Sequence, residues 1–356
     1  MNNLIKYGAR KADFEKAALY PDLTMARIIS QYKNLYKIIT ESGENFAELS
    51  GKFKYGSEKM SDYPAVGDFV MVDHTDNTSG NSIIHKILPR RTVFERTAVG
   101  YENQIQIIVT NIDLIFICMS LNKDFNESRL ERYLSIVWSS GAKPVIILTK
   151  SDLCKNLQEV VSDINIIAPG TDVIATSSFD NDSIDNLTEY LKPGTTAAFI
   201  GSSGVGKTTL INKIIGEDLL NTSEIRQDDK GRHTTTRRDL IVLPGGGIVI
   251  DTPGMRELGA EAVNLSKSFA DIEDLSLKCR FRDCTHYNEP GCAVKAAIEE
   301  GLLDERRLGN YHKLKREAKY DGLSFKQIEK EKLDSMFESI GGMKNFKKFV
   351  RQNKKR

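Results

Sequence analysis

Residues 199–210 read FIGSSGVGKTTL, and this stretch decides the fold. Gly201, Gly206, Lys207 and Thr208 fill the template G-x-x-x-x-G-K-[ST], and the apolar run at 196–200 ahead of it predicts a strand. From Lys207 onward, Leu210, Ile211, Ile214 and Ile215 recur at helical spacing. Strand, glycine loop and helix are the context in which this motif cradles phosphate. Glycine lets successive backbone N–H groups turn inward around an anion, and the helix N-terminus adds the positive end of its dipole. Gly201, Ser202, Ser203, Gly204, Val205, Gly206, Lys207, Thr208 and Thr209 are therefore the predicted nucleotide loop. Lys207 reaches the β and γ phosphates, and the Thr208 hydroxyl ligates Mg²⁺.

The chain around it has 356 residues, enough for two or three domains. It is 40% hydrophobic and 28% charged, the balance of an ordinary soluble protein, and its net charge is only +1. The charge is uneven: residues 343–356 hold seven Lys and Arg and no acid, either a solvated end or a phosphate-binding tail. The first twenty residues lack an apolar leader, and no run is long enough to span a bilayer, which predicts a cytoplasmic protein without a membrane partner. Three of the five cysteines fall within 279–292, a spacing that points to a metal and away from a disulfide framework.

Residues 1–95 look all-β. Short alternating segments at 26–32, 35–40, 46–54, 68–73 and 81–88 are punctuated by Gly43, Gly51, Gly67 and Gly80. Four or five such strands suit a small barrel of the oligonucleotide-binding (OB) type. Arg27, Lys33, Lys37, Lys52, Lys54 and Lys86, with Tyr32, Tyr36 and Tyr55 between them, are either an RNA-binding face or half-buried strand residues with guarded edges. The strip KILPRRTVFER at 86–96 is either a solvated linker or a second phosphate-contacting surface.

From about residue 104 the pattern changes to apolar strands at 105–109, 114–119 and 144–148, with a helix at 128–139. These runs predict a parallel sheet covered on both faces. Cys118, Cys154 and Trp138 read as apolar packing residues. The strand at 144–148 runs into Thr149, Lys150, Ser151 and Asp152. A carboxylate there accepts from guanine N1–H and the exocyclic amine, while the lysine stem lies along the ring. Adenine offers neither donor, so Asp152 selects GTP over ATP. Thr176, Ser177 and Ser178 follow the next strand and are placed to contact guanine O6.

Beyond the phosphate loop, residues 221–238 are polar. They contain His233, Thr234, Thr235 and Thr236, of which one threonine hydroxyl is expected to close over Mg²⁺ and the γ-phosphate. A strand at 248–250 ends in Asp251, a second Mg²⁺ ligand, and the Gly254 N–H would meet the γ-phosphate. These elements resemble a GTPase domain in an unusual order, with the T-K-x-D loop ahead of the phosphate loop. Joining a fold's neighbouring termini and cutting elsewhere preserves the sheet and the site, so this is a circular permutation. Cys279, Cys284, His286 and Cys292 then give C-x4-C-x-H-x5-C, three thiolates and an imidazole suited to a closed, structural Zn²⁺ site. Helices are predicted at 293–300, 304–319 and 324–337.

The fold class expected is α/β: an OB-type barrel at 1–95, a permuted GTPase domain at 96–274, and a helical zinc domain with a basic tail at 275–356. With that order, barrel and Cys3His finger together, nearly the whole chain resembles the ribosome small-subunit-dependent GTPases of the RsgA type. The resemblance implies a monomeric bacterial cytoplasmic GTPase that takes GTP and GDP, binds the immature 30S subunit and its 16S rRNA, and assists late maturation. It also implies hydrolysis stimulated by that subunit, and RNA contacts from the barrel and the zinc domain. Two alternatives stand beside it: a nucleotide-gated checkpoint whose hydrolysis is incidental, or a permuted GTPase acting on another RNA. Thr149 stands where many GTPases have Asn, and Met255 where Ras-like enzymes place a catalytic Gln. Met255 cannot orient water, so His233 is the expected water-positioning residue, acting with Lys207, Thr235 and Gly254.

Overall fold

The computed structural model describes residues 3–33, 35–57, 59–73, 80–97, 105–122, 125–177, 180, 182–216, 239–251 and 265–320. Two short helices, α1 (Asn3–Lys6) and α2 (Lys11–Ala17), precede β1 (Thr24–Gln31), β2 (Tyr36–Thr40) and β3 (Gly43–Leu49). Helix α3 (Gly51–Gly56), β4 (Phe69–Val72) and β5 (Ser82–Ile87) follow. Strand β1 pairs with β2 and β4, β2 with β3, β3 with β5, and β5 with β4. The ring closes into the five-stranded barrel expected of this segment, which removes its sheet edges. The strand predicted at 46–54 stops at Leu49, however, because the Ser50 hydroxyl accepts the Phe53 N–H (3.0 Å) and caps α3.

Next come β6 (Val93–Thr97), β7 (Ile105–Thr110), β8 (Leu114–Ser120), α4 (Glu127–Ser140), β9 (Lys143–Thr149) and α5 (Leu157–Ile167). The chain continues through β10 (Asp172–Ala175), α6 (Asp182–Thr188), β11 (Thr196–Ile200), α7 (Lys207–Ile215), β12 (Asp239–Val242) and β13 (Ile248–Asp251). The central sheet has the order β10-β9-β8-β11-β13-β12, parallel except for β12. Alternate residues of β8 serve the two faces. Ile115, Ile117 and Met119 pack with Leu130 and Leu134 of α4, while Phe116 and Cys118 pack with Leu187, Leu210 and Ile211 from α6 and α7. The apolar run at 105–109 does not join this sheet as predicted. It forms an antiparallel ribbon with β6, its immediate predecessor among the strands.

The barrel and the central sheet are continuous. Strand β1 pairs with β12 at Ser30 and Asp239, whose side chains also hydrogen-bond, so eleven strands form one sheet. Arg27, open in the sequence between an RNA-binding face and a half-buried strand position, lies in this junction with no solvent exposure. Its Nε donates to Gly67 O (3.2 Å), Nη1 to Thr196 Oγ1 (3.1 Å) and Tyr7 O, and Nη2 to Asn111 O (3.2 Å). Burial pushes its pKa down to about 9, with the neighbouring Arg91 adding to the effect. Only a planar fork reaches all these acceptors at once. Arg27→Met is therefore expected to destabilise the folded chain by about 2–4 kcal/mol in chemical denaturation, by orphaning buried carbonyls.

Other barrel expectations change too. Tyr36 is buried, not a stacking platform, whereas Tyr55 is 95% exposed beside exposed Lys52 and Lys54. The strip at 86–96 is turned inward in part: Arg90 grips buried Asp68 with two 2.8 Å bonds, and Arg91 pairs with buried Asp13. C-terminal helices α8 (Leu265–Ser268), α9 (Ala270–Ser276), α10 (Ala293–Glu299) and α11 (Glu305–Tyr320) enclose a small core of Phe269, Ile272, Val294, Leu308, Tyr311 and Leu314. Phe269 and Ile272 of that core precede residue 275 in the chain. Trp138 is half-buried at the seam between α4 and α8, under the Lys267 ammonium (4.9 Å to the ring centroid). No helix among the described residues is long and apolar enough to cross a membrane.

Candidate functional site

Because β8, β9, β10 and β11 are parallel, their C-terminal ends open on one edge of the sheet. The chain order reverses between β8 and β11, which makes the crevice there a topological switch point. Gly201 leaves β11 into this crevice with φ 145°, so close to β8 that a Cβ would stand 2.4 Å from Cys118 O. No side chain fits at that position, so the loop needs its glycine. Gly206, with φ 98°, turns the chain into α7, whose first residue is Lys207. The Lys207 Nζ donates to Gly201 O and Ser202 O, both at 2.7 Å, which places the ammonium against the loop's own carbonyls.

The second loop braces the first. Thr149 Oγ1 donates to Val205 O (2.6 Å), and Lys150, in the left-handed region at φ 57°, extends its Nζ to Gly204 O (2.9 Å). Thr149 stands where many GTPases have asparagine, and its hydroxyl ties two loops together. The third loop joins them through Ser177 Oγ, which donates to Asp152 Oδ1 (2.7 Å), and through the Ser151 N–H on Thr176 O (3.1 Å). Asp152 is exposed, while the Thr176 hydroxyl is buried and finds no hydrogen-bond partner among the described residues. A buried polar atom without a partner costs stability unless something else meets it, so its place in this crevice suits a polar ligand.

Thr208 lies half-exposed in the first turn of α7. Strand β13 runs parallel to β11 and ends at Asp251, so a carboxylate-bearing residue terminates the strand next to the phosphate loop. Thr208, with its hydroxyl, carries an oxygen of the type a hard divalent cation prefers. Ser178, His233, Thr234, Thr235, Thr236, Gly254 and Met255 lie outside the described residues, as do the helix predicted at 324–337 and the basic tail. One contact was missed by the motifs: Arg129 Nη1 on α4 donates to Ser202 Oγ at 2.9 Å. A lone arginine in the first turn of a helix carries no sequence signal.

The four residues of the Cys-His motif do come together. The ligand atoms of Cys279, Cys284, His286 and Cys292 all lie within 4.8 Å of one another. Cys279 Sγ stands 3.7 Å from His286 Nδ1 and 3.9 Å from Cys292 Sγ, and Cys292 Sγ stands 3.4 Å from the same nitrogen. A tetrahedral ion with ordinary Zn–S and Zn–N bonds sets its ligands about 3.5–3.8 Å apart. Burial drives the His286 imidazole below its usual pKa, which leaves a lone pair free for a metal. Burial first, and then the two neighbouring sulfurs, push the Cys284 thiol up to about 11. Three ionised sulfurs in this space therefore need a cation, and the cluster could hold a metal ion. Glu289 stabilises the ligand loop by accepting from the N–H groups of Thr285 (2.8 Å), Tyr287 (2.9 Å) and Asn288 (3.0 Å).

Comparison with known proteins agrees with this geometry. The model of the family described as RsgA GTPase matches residues 87–261. The chain is 47% identical to the small ribosomal subunit biogenesis GTPase RsgA 2 of Lactiplantibacillus plantarum, over 97% of each chain. It is 43% identical to RsgA of Methanosarcina acetivorans, over 93% of this chain and 90% of that one. Among solved structures it resembles YjeQ from Thermotoga maritima (26% identity, TM-score 0.60, 82% of this chain and 97% of that one). It resembles YloQ, described as a circularly permuted GTPase, equally well (26%, 0.60, 83% and 95%). With the barrel, the permuted order and the phosphate loop in one chain, the protein belongs to the RsgA family of GTP-hydrolysing enzymes.

Proposed function

We propose that this chain binds GTP and GDP at the crevice, docks on the small ribosomal subunit through its 16S rRNA, assists late maturation of that subunit, and leaves when GTP is cleaved. The observation that carries the reading is the convergence of three sequence-distant loops. Thr149 and Lys150 bond the carbonyls of Val205 and Gly204, and Ser177 bonds Asp152. Relatives of the same length are named for small-subunit biogenesis. In this reading the loop 201–209 takes the phosphates, Lys150 and Asp152 take guanine, and residues 176–178 take its O6. Mg²⁺ would be held by Thr208 and Asp251, with hydroxyls from residues 234–236, and when bound it neutralises phosphate charge. Zn²⁺, one per chain, would fill the Cys-His cluster as a structural ion with no open position.

Lys207 is already drawn to carbonyls beside the cradle, so a phosphate competes for a preorganised cation. His233 would orient the attacking water, since Met255 offers no donor. RNA contact falls to exposed Lys52, Lys54 and Tyr55 on the barrel, and to Arg280, Phe281 and Arg282 on the metal loop, where cations flank aromatic faces. The three-domain division at 95 and 274, a monomeric state and a cytoplasmic site of action belong to the same proposal.

The test is GTP turnover with and without purified 30S subunits, together with release from the particle. Wild type is expected to be slow alone and strongly stimulated. At GTP concentrations high enough to saturate the variant, Lys207→Ala should lower turnover about 10²-fold or more and leave the protein trapped on the subunit. His233→Ala should lose the stimulation while keeping nucleotide affinity. If Lys207→Ala leaves the particle as fast as wild type, hydrolysis does not drive release and the checkpoint reading replaces this one.

A further inference from the structure

Helix α4 touches two regions far apart in sequence. Toward the C-terminal helices it presents Glu127, Ser128, Glu131 and Arg132, spaced one turn apart. Glu131, wholly buried, accepts from Arg307 Nη1 (2.8 Å) and from Asn310, while Asp271 holds the same guanidinium through two further bonds (2.7 and 2.8 Å). Arg306 reaches Glu127 and the Ser128 hydroxyl (3.3 Å), and Arg132 pairs with Glu317 (2.7 Å). On its other side α4 carries Arg129, which donates to Ser202 Oγ at 2.9 Å. Asn126 caps the helix by accepting the Arg129 N–H (2.9 Å), which holds the backbone from which that side chain projects.

Ser202 is thus held twice. Its hydroxyl is tied to Arg129, and its carbonyl is one of the two that receive the Lys207 ammonium. A bound nucleotide draws Lys207 toward phosphate and weakens the second restraint, which leaves the arginine to define where Ser202 sits. We propose that Arg129 is a positioning residue for the phosphate loop, and that α4 links the seating of the C-terminal helices to nucleotide affinity. The inference rests on residues 201–208 being that loop. Such a link is reciprocal: whatever the nucleotide does to the C-terminal helices, a partner gripping those helices does to the nucleotide. A helix braced by a buried ion network is stiff enough to carry it.

The experiment is a double-mutant cycle on the metal-loaded full-length chain, read by the affinity for a fluorescent guanine nucleotide. Arg129→Gln should weaken affinity about three- to tenfold, with Ser202→Ala giving the same loss and Arg129→Lys restoring part of it. Asn310→Ala, which never approaches the nucleotide, should weaken affinity in the wild-type background and have no further effect in the Arg129→Gln background. Arg306→Ala, a more exposed contact, gives the same cycle if Asn310→Ala fails to fold. Multiplying losses, or an affinity unmoved by Arg129→Gln, would overturn the inference. Lys207→Ala run alongside separates the two readings: if affinity survives that change, the phosphate-loop assignment itself fails.

Discussion

Asp152→Asn is expected to weaken GTP binding by about 10²–10⁴-fold and to turn the preference toward xanthosine triphosphate. Asp152 is exposed at the end of its loop, and Ser177 Oγ already occupies one lone pair of Oδ1. The remaining acceptor sites are those available to guanine N1–H and the exocyclic amine. An amide turns one acceptor into a donor, which then faces a donor on guanine and leaves both unpaired. Xanthine carries a carbonyl where guanine carries the amine, so the same amide finds a partner there. Calorimetry with each triphosphate measures the exchange. Equal GTP affinity in the variant would place the base elsewhere.

Removing the metal is expected to unfold the C-terminal helices. Their core is small, and Cys292, one of the four clustered residues, is itself a member of it, so if the cluster holds zinc as proposed, losing the ion should open the cluster and the packing together. Structural zinc in small domains contributes about 10–16 kcal/mol of apparent binding energy at neutral pH, more than so small a core supplies. Chelation, or Cys292→Ser, should make residues 265–320 sensitive to protease and reduce helical circular dichroism. Elemental analysis of the untreated protein should return one zinc per chain. A protease pattern unchanged by chelation would mean that the helices stand without the ion. Loss of the α11 contacts to α4 should also weaken nucleotide binding several-fold, in line with the coupling through Arg129.

The site was more legible in the sequence than the assembly around it, and particular residues explain why. The phosphate loop, the T-K-x-D loop and the Cys-His set are short segments whose donors are placed by local backbone geometry. Gly201, Lys207, Asp152 and Cys279 could therefore be named as candidates from the sequence alone. Their order along the chain was enough to reveal the permutation. What an arginine does depends on which surfaces meet it. Arg27 was open between an RNA-binding face and a half-buried strand position, and Arg90 and Arg91 between a solvated linker and a phosphate-contacting strip; all three close buried contacts between elements that meet only after folding.

By itself, then, the sequence determined the family resemblance, the strand–loop–helix unit at 196–215, and the presence of a barrel and of a compact Cys-His set. Tertiary structure alone decided that β1 and β12 fuse barrel and sheet, that β7 leaves the parallel sheet for β6, and that α4 stands between Ser202 and the C-terminal helices. The reason is physical: a motif fixes distances over a few residues of backbone, whereas the pairing of edges and burial of charges depend on free energies summed over the whole packed chain.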